Sequence, residues 1–328
     1  VSIDSIKVFA LGRLRRRLFG IPERATRFDR RGFTGGTPAS RARIAQIGAT
    51  FAAGYHAALL DTDAERLEAR LAAIAREQRG FAYEGAAMAL VLLDLLLPRL
   101  RAGPGPRFAA FLAGPGEPHA YMLHVGAGWA LARLPWPVEA NLGRFDPLLG
   151  ALALDGYGFH QGYFHWRRFV AGQEVPRLSA NARRPFDQGL GRSLWFVQGA
   201  EPVRIAETIT AFDAGRREDL WSGVGLAAAY AGGVEAAELA RLRESAAADW
   251  RALAQGAAFA AKARERAGNP AAHTELACRI LCGCAAASAA AVTDQVLAAL
   301  PSGPEPAYAR WRQGIARSFA TTGEPAQV

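Results

Sequence analysis

A short glycine-centred motif recurs six times between residues 81 and 260, and it limits the possible folds more than any other feature of the chain. The copies are FAYEGAAMA (81–89), MLHVGAGWA (122–130), FHQGYFHW (159–166), FDQGLGRS (186–193), LWSGVGLA (220–227) and LAQGAAFA (253–260). Their glycines, Gly85, Gly126, Gly162, Gly189, Gly223 and Gly256, are separated by 41, 36, 27, 34 and 33 residues. Such an interval is the length of one helix–turn–helix unit. A glycine inside a helix costs about 1 kcal/mol against alanine, so its repeated use at one helical position requires a gain in packing. Five copies place a second small residue four positions later, at Ala89, Ala130, Ser193, Ala227 and Ala260. Residues at i and i+4 share a helix face, so the motif predicts helices that approach closely through small side chains. Alternating runs of β-branched residues are missing. The expected fold is all-α, an array of antiparallel helix pairs built as an αα-repeat, a TPR-like solenoid or a compact helical bundle.

The expected organisation has three parts. Residues 1–40 read as a basic segment: a short helix ending near Gly20 and Pro22, then the irregular stretch FDRRGFTGGTP. Residues 41–315 read as one helical-repeat domain, and residues 316–328 as a flexible tail. Within the domain, Thr62 and Glu65 have capping-box spacing before RLEARLAAIAREQRG, with Gly80 as the stop.

Charge and cysteine content narrow the function classes. The net charge is +9, but the 39 basic residues comprise 37 Arg and only Lys7 and Lys262, spread along the chain. The one dense run is Arg13, Arg15, Arg16 and Arg17. A phosphate-reading surface is clustered, so a solvated basic face is the preferred reading over nucleic-acid binding. The three cysteines, Cys278, Cys282 and Cys284, fit neither a disulfide framework nor a zinc pattern, which points to buried thiols in a reducing cytoplasm. The longest apolar run, AAMALVLLDLLL from Ala86, has twelve residues and carries Asp94, too short to cross a bilayer. The first twenty residues do not read as a signal peptide, because the charged cluster follows the apolar stretch. A weak peripheral membrane contact through this basic amphipathic start remains open.

Candidate chemistry concentrates in two windows. In LALDGYGFHQGYFHWRRFV (152–170), Asp155, His160 and His165 are acid–base candidates, and Gln161 shares a helix face with His165. In RRPFDQGLGRSLWFVQG (183–199), Asp187 is a further acid–base candidate, with Arg192 as an anion or carbonyl clamp. The residue before the motif glycine is polar in five copies, at Glu84, Gln161, Gln188, Ser222 and Gln255. This ladder either satisfies hydrogen bonds between helices or lines a groove. Aromatic residues recur in the same windows, and Tyr83, Trp129, Trp195 and Trp221 join Glu84, Gln161 and Gln188 as ligand-binding candidates for a planar apolar molecule, with filling of the core as the alternative. No phosphate loop, zinc, calcium, haem or flavin signature is present, so neither metal nor cofactor is expected.

The stretches RRRLFGIP, RRGF, GFAYEGAAMAL, HVGAGWALARLP, LDGYGFHQGYF, FDQGLGRSLWFV, DLWSGVGLAAAYAGG and HTELAC, from about residue 13 to about residue 285, resemble the enediyne-biosynthesis UnbL-type family, a domain of unknown function numbered 1702. The resemblance implies an actinobacterial natural-product pathway, in which members accompany the polyketide synthase that makes a linear conjugated polyene. It carries no catalytic residue set. The expectation is an accessory protein or enzyme of enediyne core formation that binds a hydrophobic polyene or polyketide-derived intermediate, with other pathway proteins as further partners. A non-catalytic scaffold for those proteins and a product-sequestering protein are the alternatives.

Overall fold

The structure, a computed structural model, describes residues 3–96 and 105–319. The helices in chain order are α1 (Ile3–Phe19), α2 (Pro38–Leu60), α3 (Ala64–Ala72), α4 (Arg79–Leu96), α5 (Pro106–Ala113), α6 (Ala120–Leu131), α7 (Ala151–Phe164) and α8 (Ala180–Val197). They continue with α9 (Pro202–Ala211), α10 (Ala214–Ala231), α11 (Ala236–Ala246), α12 (Trp250–Arg266), α13 (Ala272–Leu281), α14 (Ala286–Ala298) and α15 (Ala307–Ser318). Short 3-10 and π turns join them, and no strand occurs among the described residues. The fold is all-α.

The chain forms two compact units. Unit one comprises the residues up to Gly32 together with Ala45–Tyr157; unit two comprises Phe33–Ile44 and the residues from Gly158 onward. The boundaries fall after Gly32, inside α2 between Ile44 and Ala45, and inside α7 between Tyr157 and Gly158. Gly12 of α1 packs on the Leu60 backbone in unit one. In unit two the Thr34 amide donates to the Val197 carbonyl and the Gly36 amide to Glu201. Of the expected tail, α15 claims residues as far as Ser318, and residues 320–328 lie outside the described ones.

All six motif glycines lie in helices, and close backbone approach explains Gly85, Gly126, Gly223 and Gly256. A methyl group built on Gly85 would come within 2.0 Å of the Phe51 carbonyl oxygen on α2, and one on Gly126 within 2.1 Å of the Glu84 carbonyl on α4. In unit two, one on Gly223 would come within 1.9 Å of the Gln188 carbonyl and one on Gly256 within 1.8 Å of the Ser222 carbonyl. A second small residue follows two positions later. Positions i and i+2 lie about 200° apart around a helix, on opposite faces. That second residue meets the next helix: Gly128 approaches the Ala153 carbonyl, Gly191 the Leu220 carbonyl and Gly225 the Leu253 carbonyl, each within 2.1 Å of a built methyl. The working motif is therefore small-x-small, one face per neighbour. In α7 it falls on Gly156 and Gly158, not on Gly162: Gly156 meets Val125 in unit one, and Gly158 meets Phe186 in unit two.

In unit two, α8, α10, α12 and α14 form one layer, and α9, α11 and α13 pack against it as a second. α15 lies on α12 and α14. In unit one, α4 packs against α3, α5 and α6. The lone carboxylate in its apolar run, Asp94, accepts the Phe108 amide at 3.0 Å and pairs with Arg107 at 2.9 Å, so it caps the start of α5. Two local expectations shift. α3 is capped by Asp63, which accepts the Arg66 amide at 3.0 Å, and not by Thr62. Gly80 lies inside α4, because α3 already ends at Ala72.

Candidate functional site

The polar ladder is sealed within the helix layers. Glu84, Gln188, Ser222 and Gln255 are all buried, and each bonds to protein. In unit one, the Trp129 indole N–H donates to Glu84 Oε1 at 3.0 Å. In unit two, Ser222 donates to Gln255 Oε1 at 2.7 Å, and Gln188 Nε2 donates to the Tyr308 hydroxyl at 3.1 Å. α15 closes the ladder with Tyr308 and, four residues on, Arg312. The Arg312 guanidinium lies 3.3 Å from Gln255 Oε1 and 2.9 Å from Asp219, which also receives Arg184 at 3.2 Å. The re-registered motif places Asp155 at the ladder position of α7, and it is fully buried. Glu84, Gln188, Ser222 and Gln255 thus each bond to a side chain of another helix.

The other residues singled out in the sequence divide by unit. In unit one, Tyr83 and Trp129 are core residues: Tyr83 stacks on His119 with ring centroids 3.8 Å apart and donates its hydroxyl to Glu68, and Trp129 packs on Phe51 with tilted rings 4.4 Å apart. In unit two, Trp195 and Trp221 are buried, and the Trp195 indole donates to the Gly232 carbonyl at 3.1 Å. Asp187, the acid–base candidate of this window, is buried. It is held by Arg216, whose Nε lies 3.0 Å from Oδ2, and that guanidinium also reaches the Gln173 carbonyl. Burial pushes the Asp187 carboxyl upward while Arg216 pulls it down. Arg192 lies over the Phe159 ring at 4.9 Å. His160 and Gln161 are buried beside it in sequence, and the His160 ring sits 4.7 Å from Phe164 and 6.0 Å from His165, which is exposed. The structure thus gathers His160, His165 and Phe164 at the end of α7. Asp155 belongs to the other unit.

A groove of about 960 Å³ in unit one is the feature that the motif reading missed. Its floor is one face of α2, with Ala45, Ala49, Ala52, Ala53 and Ala57 at helical spacing. Its wall is the end of α1 and the turn that follows. Two neighbouring side chains of α2 hold that wall: Tyr55 donates to the Phe19 carbonyl at 2.9 Å, and His56 Nε2 accepts the Ile21 amide at 3.1 Å. Accepting at Nε2 places the imidazole hydrogen on Nδ1 and requires the neutral ring. Burial, and then the neighbouring Arg16 charge, hold the His56 pKa below the usual imidazole value. The charged side chains lining the groove are Arg16, Arg27 and Arg70, with no carboxylate among them. Arg27 is partly neutralised by Asp29, 3.3 Å away.

The groove can therefore take an apolar body along its alanine floor and an anionic or carbonyl-bearing end beside the arginines. Sequence reasoning passed over it because α2 looks like an unremarkable alanine-rich helix; the signal was the four-residue spacing of Ala45, Ala49, Ala53 and Ala57, with His56 beside the last of them. No group of three His, Cys, Asp or Glu side chains able to hold a metal comes together among the described residues. Cys278 and Cys282 are buried against α12 carbonyls.

These features define an all-α protein of helix layers joined through small-x-small contacts, with a cationic groove in unit one. The chain belongs to the family of proteins of unknown function DUF1702, whose pattern matches residues 10–319. No curated protein matches the chain, and no solved structure matches it. No single helix among the described residues is long and apolar enough to cross a membrane.

Proposed function

We propose that this protein binds a hydrophobic, polyketide-derived acid in the unit-one groove, as an accessory protein or enzyme of enediyne core formation. The resemblance of the motif set supplies the pathway, and the family membership is compatible with it. The observation that carries the site is the pairing of an alanine floor with Arg16, Arg27 and Arg70 and no lining carboxylate. Small floor residues leave a flat trough that suits a linear conjugated chain. The arginines suit the carboxylate or thioester carbonyl at its end. Neutral His56, half-buried at the edge, is the group placed to exchange a proton there. The exposed His165 in unit two is the remaining candidate among the acid–base residues read from the sequence.

The test is co-expression of the full chain with the pathway's polyene synthase, followed by purification and an absorbance spectrum of the bound chromophore. Retention of a polyene by the native chain and loss of at least about tenfold in Ala49→Leu/Ala53→Leu are expected, since both positions are exposed and tolerate bulk without unfolding. A chain that retains no chromophore, or a filled-groove variant that retains it undiminished, would overturn the assignment. Core formation that survives His56→Gln with chromophore still bound would reduce the role to binding without catalysis.

A further inference from the structure

We infer that the outer face of α1 docks on an anionic lipid surface. Leu11, Leu14 and Leu18 are 48%, 52% and 65% exposed, three of the few large apolar side chains that face solvent among the described residues. Their spacing puts them within about 60° of one another around the helix axis. The inner face of α1 is fixed independently. A methyl on Gly12 would come within 2.2 Å of the Leu60 carbonyl on α2, so the Gly12 side is the packed side. The leucine ridge points well away from it, about 100° or more around the helix. Nothing described in unit one covers the ridge.

Charge identifies the occupant. From Ser5 to Pro22 the chain has five basic residues, Lys7, Arg13, Arg15, Arg16 and Arg17, and no acidic one. On the helical wheel Arg15 and Arg17 flank the leucine ridge on its two sides. An apolar ridge flanked by long cationic side chains is the arrangement of a helix lying in the headgroup layer: the leucines enter the acyl boundary while the arginines extend their charges to lipid phosphates. A neutral protein partner would give the Arg15 and Arg17 guanidinium groups beside the ridge no counter-charge, whereas a bilayer with anionic lipid supplies it. Three leucines make a reversible contact, not an anchor. This inference concerns a surface distinct from the groove and stands whether or not the groove holds a polyene.

The experiment is co-sedimentation of the full chain with vesicles of phosphatidylcholine alone and of phosphatidylcholine with about one third phosphatidylglycerol. Binding to the anionic vesicles at least about tenfold tighter than to the neutral ones, weakened by raised salt, is expected. Leu11→Gln/Leu14→Gln/Leu18→Gln should remove most of it while leaving the thermal unfolding curve in place, because these side chains make few contacts in the folded chain. Arg15→Gln/Arg17→Gln should reduce both the affinity and its salt dependence. Equal binding by native chain and leucine variant would overturn the proposal. So would a native chain that ignores anionic vesicles, or light scattering that shows the ridge sealing a dimer which the leucine variant abolishes.

Discussion

Helices α10 and α2 are both rich in small residues and use them to opposite ends. On α10, Gly223 and Gly225 face two neighbouring helices, each with a carbonyl oxygen where a side chain would begin, and Ser222 beside them is fully buried. On α2, Gly54 closes against Ala82 in the same way, but Ala49 and Ala53 on another face stand exposed along a groove. Side-chain size is nearly the same in the two places. What differs is whether a second helix lies across from it. Small residues therefore mark either a close approach or a vacancy, and only the neighbouring element decides which.

Breaking the closed side should be most costly at its buried charges. Arg312 reaches Asp219 and Gln255 from α15, and both ends of the ion pair are about 5% exposed or less. Arg312→Ala leaves Asp219 with Arg184 alone and should cost about 3 kcal/mol in urea unfolding, because a buried carboxylate loses one of its two charge-assisted partners. A loss below about 1 kcal/mol would mean that water reaches this layer and that the contrast with α2 is overdrawn.

Unit one holds a sealed polar group of the opposite kind. His119 is 6% exposed and stacked on Tyr83, and its Nδ1 finds no hydrogen-bond partner among the described residues. Burial, with a smaller push from Arg79, lowers its pKa to about 4. The folded state thus prefers the neutral ring, while the unfolded chain takes up a proton at its ordinary pKa of about 6.5. Stability from this residue is complete above that value and is lost as pH falls toward the folded pKa, amounting to roughly 3 kcal/mol by pH 4. His56 is shifted in the same direction, so it adds to the loss. His119→Phe keeps a ring against Tyr83 and should remove most of the acid sensitivity between pH 7 and pH 4, measured by chemical denaturation. An unchanged pH profile would show that His119 is hydrated in the folded state.

Much of the closed architecture could be read from the chain, and the open part could not. The recurring glycines announced helix stacking, because a glycine at mid-helix has few other uses. The residues at +4, such as Ala130 and Ser193, are indeed buried. The register slipped in α7, where Gly162 was chosen over Gly156, since a search for one shared face overlooks a motif that serves two. Ladder residues Gln188 and Gln255 looked like a possible lining, but their partners Tyr308 and Arg312 lie 120 and 57 residues away and no local pattern reveals them. The groove depends on α1 and the Ile21–Arg27 turn lying beside α2. Short sequence windows contain no sign of that contact.

Paired substitutions sharpen the contrast between the two uses of small residues. Gly223→Ala places a methyl 1.9 Å from the Gln188 carbonyl and 2.6 Å from the Arg192 amide, both main-chain atoms of a packed helix. The helices must separate, at a cost of about 1–3 kcal/mol, in spite of the better helix propensity of alanine. Ala53→Leu on the open face adds more atoms yet should change stability by no more than about 0.5 kcal/mol. Equal costs for the two would remove the distinction between a seam and a trough.

The smallest expected effect tests the same idea within one helix. Gly215 lies in the first turn of α10, eight residues before Gly223, with nothing within 4 Å of a built methyl and no positive φ. No packing gain offsets its backbone entropy there. Gly215→Ala should therefore stabilise the chain by about 0.5–1 kcal/mol, through the unfolded state and helix propensity alone. In a thermal melt that is a rise of about 2 °C. Since the substitution is chemically the same as Gly223→Ala, opposite signs on one helix would isolate the neighbouring carbonyl as the cause. A destabilising Gly215→Ala would mean that the start of α10 has a contact partner outside the described surface, and the first turn would then join the closed side of the comparison.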